Sequence, residues 1–577
     1  MDIYKEILTK NKLENKIIYF DNILEAINKS DNEKHFDNLN YFVLNDDKIK
    51  IDYKKMINDI IHIKFTKDQK KGIIEILKFL GNSKEKIYGL YGYAGTGKTT
   101  TIIEVIIFLI KNKLINKIAF TAPTNKAVNV IKIKFKHYIK ELHSLFCDGD
   151  YDDFDIMIDN LKHNGIVIEF ITIHKLLKYE MDYDCEGNLM FIKKSSQTDI
   201  NKYEIIVIDE CSMITEDIVK TIFTLIKKYD TKIIFCGDPA QLPPISEKES
   251  KIFKKDINTT TLEKVMRNKL KHVVVIWTII RMWITNNILP NLTNKVIKDD
   301  VLNKIIGAYA YSLKSVWFNK CLEYFEESKH DNIILVWTNL RANEYNKLIR
   351  ETLFGKSVDK YTTNDIIMLN EFYGTLNDKL YTSEQLRIIK VEKIKKILKK
   401  IAYGSQSKNI LKLQNGKQLN IKYMECIDNI NYYILNDWSC WKMYVKKTTE
   451  TKLLDDPPII FVLADEEICR WTKLMKFCQE SIKKLKIQMI MKNKSHVHDI
   501  EKTIIKPLWQ TIHKLIIDVF ANINYGYSIT CHKAQGSNYY NVYVDCQDIL
   551  SNKNIEEAKK CLYTAITRSS NELHLLF

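Results

Sequence analysis

Short apolar runs that stop abruptly at polar or glycine-rich turns recur along the chain, and several lead into helix-like stretches. "KIYGLY" reads as a short buried strand, turns on glycines and continues into "TTTIIEVIIFLI", which reads as a helix. "IAFTAPTNKAVNV" repeats the theme with a strand, a Thr-Pro-Thr-Asn turn and a helix start. In "YEIIVIDECSMI" the run Ile205–Ile208 is apolar throughout, as a strand buried on both faces of a parallel sheet should be. "TKIIFCGDPAQLPPI" supplies another such run. Near the C-terminus "YGYSITCHKAQGSNYYNVYVD" gives a strand, a polar turn and a second strand, and "LYTAITRSS" reads as a helix. Strands alternating with helices predict an α/β class built on parallel sheets.

From 356 to 524 the pattern changes. "DIIMLNEFYGTLNDKLYTSEQLRIIKVEKI" has short strand-like runs, and "NGKQLNIKYMECIDNINYYILND" alternates like a small antiparallel sheet. "LADEEICRWTKLMKFCQESIKKLKIQMIMKNK" predicts a long amphipathic helix and "KPLWQTIHKLIIDVF" a second. A helical arm and a set of extra core helices fit this pattern equally. Residues 1–60 show helical stretches and no chemistry.

Composition narrows the class. The 577 residues allow three or four domains, and 45% hydrophobic content can bury real cores. No uninterrupted apolar run reaches the roughly 18 residues of a membrane span. "MDIYKEILTKNKLENK" lacks the apolar centre of a signal peptide, so an intracellular protein is expected. The 12 cysteines are scattered without zinc spacing, and reduced thiols are expected. The net charge of +16 favours a polyanionic partner, although lysine-rich surfaces are also simply solvated faces.

The candidate chemistry begins at Gly92, Tyr93, Ala94, Gly95, Thr96, Gly97, Lys98, Thr99 and Thr100. Gly92, Gly97, Lys98 and Thr99 fit G-x-x-x-x-G-K-[ST]. In that pattern backbone N–H groups curl around phosphate, the lysine reaches the β- and γ-phosphates, and the hydroxyl binds Mg²⁺. With only 17 glycines in 577 residues, a match to the whole pattern points to phosphate rather than to an ordinary turn. Asp209 and Glu210 follow a strand, where an open α/β sheet places its ligands. Asp209 is expected to help hold Mg²⁺ and Glu210 to activate water. Gln241 is placed to sense the γ-phosphate from a third strand. Gln69, in "FTKDQKKGI", carries an amide able to pair with adenine. Arg568, more than 350 residues beyond the acid pair, is able to close on the γ-phosphate from a second domain.

Together, "FTKDQ", "GYAGTGKT", "TAPTNKAV", "TIHKLL", "VIDECSMI", "GDPAQLPP", "LEKVMRN", "ILVWTNLRANEYN", "ITCHKAQGS" and "LYTAITRSS" resemble the superfamily 1 helicases, in the branch of RecD and the phage Dda helicase. The resemblance spans roughly residues 61 to 577, in the family's order. It implies two RecA-like P-loop motor domains using ATP and Mg²⁺, with single-stranded DNA and duplex/single-strand junctions as partners. The first motor runs over 61–262, and the second is split into 263–355 and 525–577. An SH3-like and helical insertion fills 356–524, and a hairpin insertion lies at about 178–203. Carried over, Arg267 and Arg568 are the two γ-phosphate arginines, and Gln535 and Gly536 link nucleotide to strand. Pro123, Thr124, Asn125, His174, Thr530 and His532 fall on segments lining the nucleic-acid path.

The resemblance therefore implies a 5′→3′ DNA helicase for which a monomer suffices. An RNA helicase or translocase keeps the same ATP site; a non-motor binding module does not need the intact site. "EGN" at 186–188 signals a hairpin turn, and Phe191 is the candidate for an aromatic that divides duplex strands. Packing of Phe191 onto the motor is the competing reading.

Overall fold

The computed structural model describes residues 65–577 except 148, 150, 152, 185, 194–197, 246, 289–297, 300–303, 306, 328–330, 375–378 and 449–455. Before residue 65 it describes only the backbone strands Phe42–Leu44 and Asp47–Ile49. The N-terminal extension read from the sequence thus lies almost wholly outside the described residues. Two packing units emerge. One reaches to Leu177 and continues through Gln197–Leu353 and Tyr527–Phe577; the other comprises Lys178–Ser196 and Phe354–Gly526.

The first unit holds two parallel sheets. Six strands lie side by side in the order Asn258–Leu262, Ile87–Gly92, Lys232–Gly237, Ile205–Ile208, Lys117–Ala122 and Val167–Thr172, every pair parallel. Their inner strands are buried nearly end to end because helices cover both faces, and this explains the continuous apolar runs. Helix Lys98–Lys111 buries Ile102, Ile103, Val105, Ile106, Leu109 and Ile110 in the core of this sheet. At about 25 cal/mol per Å² of apolar surface, each such isoleucine or leucine contributes roughly 1.5–3 kcal/mol. The second sheet runs Ala308–Tyr311, Leu573–Leu576, Asn541–Asp545, Asn332–Val336 and Ser528–Thr530, again all parallel. The chain leaves this sheet after Val336 and re-enters it at Ser528.

The second unit carries a five-stranded antiparallel sheet ordered Ile459–Leu463, Trp438–Lys447, Gln385–Lys396, Ile366–Leu369 and Ile523–Tyr525. One expectation is corrected here. The stretch read as alternating strands is the helix Gly416–Ile434. Its buried residues Leu419, Tyr423, Cys426, Ile427, Ile430 and Ile434 recur every three or four positions, the helical period rather than the period of two. The long helix Ile468–Lys492 buries Leu474, Cys478, Ile482, Leu485 and Met489 against it and against helix Lys506–Leu515. These helices share a core of their own. No helix among the described residues is long and apolar enough to cross a membrane.

The hairpin pairs Tyr179–Tyr183 with Leu189–Lys193 and packs within the second unit. Tyr183 stacks on His513 with ring centroids 3.9 Å apart, and the Gly187 carbonyl lies 3.1 Å from His513 Nε2. Asp182 accepts from Gln510 Nε2 at 3.2 Å. The turn is therefore seated on helix Lys506–Leu515. Phe191 stands on the returning strand, 52% exposed.

Candidate active site

Strand Ile87–Gly92 ends at the loop that starts helix Lys98–Lys111, and the first N–H groups of that helix have no intrahelical acceptor. Gly95 and Gly97 hold φ +76° and +82°. A β-carbon on Gly95 would meet Arg267 Cβ at 2.6 Å, and one on Gly97 would meet Gln69 Nε2 at 2.5 Å. The loop is thus closed around from two sides. Lys98 Nζ donates to the carbonyls of Gly92 at 3.0 Å and Tyr93 at 2.9 Å, spanning the loop. Burial pulls its ammonium below the usual lysine range, against the opposing charges of Asp238, Glu210 and Asp209. Thr96 is fully buried and its hydroxyl donates to Tyr93 O at 2.9 Å; Thr100 lies in the first helical turn.

Thr99 Oγ1 donates to Asp209 Oδ2 at 2.7 Å, and Asp209 Oδ1 accepts from the Glu210 N–H at 2.9 Å. A hydroxyl from the first turn of helix Lys98–Lys111 and a carboxylate from the end of strand Ile205–Ile208 form a hard-oxygen pair of the kind Mg²⁺ takes beside substrate phosphates. Glu210 holds φ 50°, ψ 41°, a left-handed conformation that costs a non-glycine residue about 1–3 kcal/mol. Burial, then the charge of Asp209, raises its carboxyl above the ordinary value; Arg568, Lys98 and Arg267 oppose this. Gln241 is 5% exposed, and its Oε1 finds no hydrogen-bond partner among the described residues. A buried acceptor left unpaired costs about 1–3 kcal/mol, so this is an atom awaiting a donor.

Arg267 follows strand Asn258–Leu262 of the first sheet and donates its backbone N–H to Gly95 O at 3.0 Å. It reaches toward the second sheet's side, where its Nη1 donates to Thr567 O at 3.0 Å. Burial and the neighbouring Arg568 bring its guanidinium down to about 10. Arg568 is 1% exposed, with Nε on Thr564 O at 2.9 Å and Nη2 on Thr567 Oγ1 at 3.2 Å. Burial also lowers its pKa, with Glu210 the largest opposing charge. The acid pair, the loop lysine and both arginines therefore share one electrostatic neighbourhood. Gln535 Nε2 donates to Leu242 O at 3.1 Å and lies 3.4 Å from Ser212 Oγ, tying the "HKAQGS" turn to the loop that carries Gln241. Gly536 follows at φ +78°.

The remaining candidates sit at strand ends. Thr124 caps helix Asn125–Phe146 by accepting from Ala127 N at 3.2 Å; Thr124 and Asn125 are exposed and Pro123 half-buried. His174 lies half-buried on the turn Ile173–Leu176, its pKa lowered by burial. Thr530 is buried before Cys531–Ala534, and His532 lies 3.9 Å from Glu557 with its pKa lowered by burial. Gln69 is committed to the protein. Its Oε1 accepts from Thr66 N at 2.9 Å and its Nε2 donates to Thr96 O at 3.1 Å, so the amide offered to adenine here supports the loop.

Four residues escaped the sequence reading. Lys134, on helix Asn125–Phe146, feels the charges of Asp209, Arg267, Glu210 and Lys98, and burial holds its ammonium low. Asp238, Arg281 and Tyr563 form a buried cluster beside the loop. Arg281 carried a signal: a lone arginine inside the apolar "WTIIRMWIT" must be paired if buried.

The family described as an AAA domain matches residues 78–247, and that described as a UvrD-like helicase C-terminal domain matches 525–576. The chain is 30% identical over 532 residues to the uncharacterized protein R530 of Acanthamoeba polyphaga mimivirus, covering 86% of this chain and 97% of that one. It is 26% identical over 510 residues to the RecBCD enzyme subunit RecD of Buchnera aphidicola subsp. Schizaphis graminum, covering 87% of this chain and 71% of the relative. A solved Pif1 helicase from Bacteroides, in complex with ADP-AlF3 and ssDNA, overlaps 89% of this chain and 92% of its own at 12% identity. Its TM-score of 0.38 is a loose superposition.

Proposed function

The chain belongs to the superfamily 1 helicases of the RecD type, and on that premise we propose that it hydrolyses ATP to move 5′→3′ along single-stranded DNA and to unwind duplex. One observation carries the reading. Lys98, Asp209, Glu210 and Arg267 on the first sheet's side share a charge neighbourhood with Arg568 from the second sheet's side, and Gln535 ties the "HKAQGS" turn to the loop that carries Gln241.

Thr99 and Asp209 would hold Mg²⁺, which when bound neutralises charge on the phosphates. Lys98 exchanges two carbonyl partners for phosphate oxygens, a charge-assisted bond that is stronger than either. Glu210, with its raised pKa, accepts the proton of the attacking water. The unpaired Gln241 Oε1 is suited to accept from that water and orient it. Arg267 and Arg568 stabilise charge on the transferred group, so turnover requires both halves of the unit to be in register. The strand path would follow Pro123, Thr124, Asn125, His174, Thr530 and His532, and Phe191 remains the proposed strand-dividing aromatic.

Strand displacement from duplexes carrying a 5′ or a 3′ tail, in DNA and in RNA, tests this reading. Displacement of the 5′-tailed DNA with ATP is expected. Displacement from 3′ tails alone, or from RNA tails alone, overturns the polarity or the substrate. ATP turnover that single-stranded DNA does not accelerate overturns the motor.

A further inference from the structure

Tyr563 lies on helix Ile555–Ile566, and Arg281 on helix Lys271–Asn286, which packs against it. The Tyr563 hydroxyl donates to Asp238 Oδ2 at 2.8 Å, accepts from Arg281 Nη1 at 3.1 Å and accepts from the Ala94 N–H at 3.3 Å. One donation and two acceptances exhaust a phenol. Arg281 also pairs with Asp238 Oδ1, and its guanidinium lies 3.8 Å from the centre of the Tyr93 ring. Asp238 in turn fixes the sensor turn: Oδ1 accepts from Ala240 N at 3.0 Å, and its carbonyl accepts from Gln241 N at 3.1 Å. Just beyond, Leu242 N donates to Thr564 Oγ1 at 3.2 Å.

The cluster therefore touches the phosphate loop at Tyr93 and Ala94 and the sensor turn at Asp238 at the same time. None of its members reaches the acid pair directly. The structure assigns Tyr563 and Arg281 as positioning residues that couple docking of the C-terminal helix to the phosphate loop and to Gln241. This rests on the proposed ATPase motor and adds to it: the helix that ends just before Arg568 reports its arrival through Tyr563 as well. A strand of DNA held across both halves favours docking, so the latch should matter most in DNA-stimulated turnover.

Tyr563→Phe is the cleanest test, since it removes only the hydroxyl and leaves Arg281 to neutralise Asp238. Arg281→Ala would strand a buried carboxylate and is expected to misfold. Arg281→Lys, which keeps the charge but not the planar fork, serves as the second variant. For Tyr563→Phe the DNA-stimulated kcat should fall roughly ten- to a hundredfold, the range carried by a lost hydrogen bond to a charged group. KM for ATP and unstimulated turnover should stay close to those of the wild type, and the melting temperature should fall only slightly, as the loss of one buried hydrogen bond requires. Arg281→Lys should fall in the same direction. Unchanged stimulated turnover, or a parallel loss of stimulated rate, basal rate and melting temperature, overturns the assignment. A wild-type protein that DNA does not stimulate overturns the motor reading instead, and the two failures are thereby distinct.

Discussion

Replacing Glu210 with glutamine tests both the chemistry and the electrostatics of the acid pair. The amide keeps the shape and the left-handed backbone, so the strain at φ 50° is common to both proteins and cancels. What changes is the charge. A general base contributes about 10²–10⁴-fold, equivalent to about 3–5 kcal/mol of barrier. ATP should still bind, because Lys98, Thr99 and Asp209 are untouched. Stability should move the other way. Burial and Asp209 raise the Glu210 pKa in the folded state above the ordinary value. A raised carboxyl contributes stability that is complete below the unfolded pKa and is lost as pH rises through the folded pKa. At neutral pH the wild type has lost that contribution, whereas the glutamine variant does not titrate. Glu210→Gln should therefore melt above the wild type near pH 7 or 8, and the gap should close toward about pH 4. Melting curves across that range, with single-turnover hydrolysis and nucleotide binding, measure all three effects. A variant that melts lower at pH 8, or hydrolyses at more than about a tenth of the wild-type rate, refutes the reasoning. Loss of nucleotide affinity equal to loss of turnover would assign Glu210 to the metal.

Lys98→Ala should abolish turnover with the fold intact, because its ammonium bridges only loop carbonyls here; a folded variant with normal ATPase refutes it. Arg267→Ala and Arg568→Ala should each lower turnover by about 10³-fold or more, with lysine a poor replacement. Full activity in both removes the two-sided site. Phe191→Ala should lower duplex unwinding and spare DNA-stimulated ATPase and translocation, since the ring is half exposed; a joint fall in ATPase, translocation and melting temperature makes it a packing residue.

The parts of this fold legible from sequence are those written locally. Ile205–Ile208 and Lys232–Gly237 show themselves as unbroken apolar runs because helices cover both faces of their sheet. The loop Gly92–Thr100 shows itself because phosphate loops need glycine at fixed spacing. Gln69 was half legible: "TKDQ" is also a Thr-x-x-Gln capping box, and the structure uses it so, with the amide turned onto Thr66 and Thr96. Residues 415–437 misled because short-range alternation of apolar residues mimics a strand, while the helical spacing emerges only over the full length from Leu419 to Ile434. The Asp238–Arg281–Tyr563 cluster was illegible as a unit. Its members are 43 and 282 residues apart, and no periodicity reports such a meeting.

The loop from Asp238 to Leu242 is where these threads join. Its carboxylate is held by Tyr563 and Arg281, its last backbone N–H by Thr564, and its last carbonyl by Gln535. Between those fixed points sits Gln241, with one oxygen unpaired. A loop so restrained has little freedom to follow its ligand alone. If the attacking water beside the γ-phosphate donates to Gln241 Oε1, any shift it demands is passed to the four partners that hold the loop. Tyr563 and Thr564 lie on the helix that ends just before Arg568, Arg281 lies on the helix packed against it, and Gln535 precedes Gly536 in the turn between Thr530 and Asn541. A change at that one contact thus acts on the segment that carries Arg568 and on the proposed strand path together. That is the mechanical requirement for turning hydrolysis into movement.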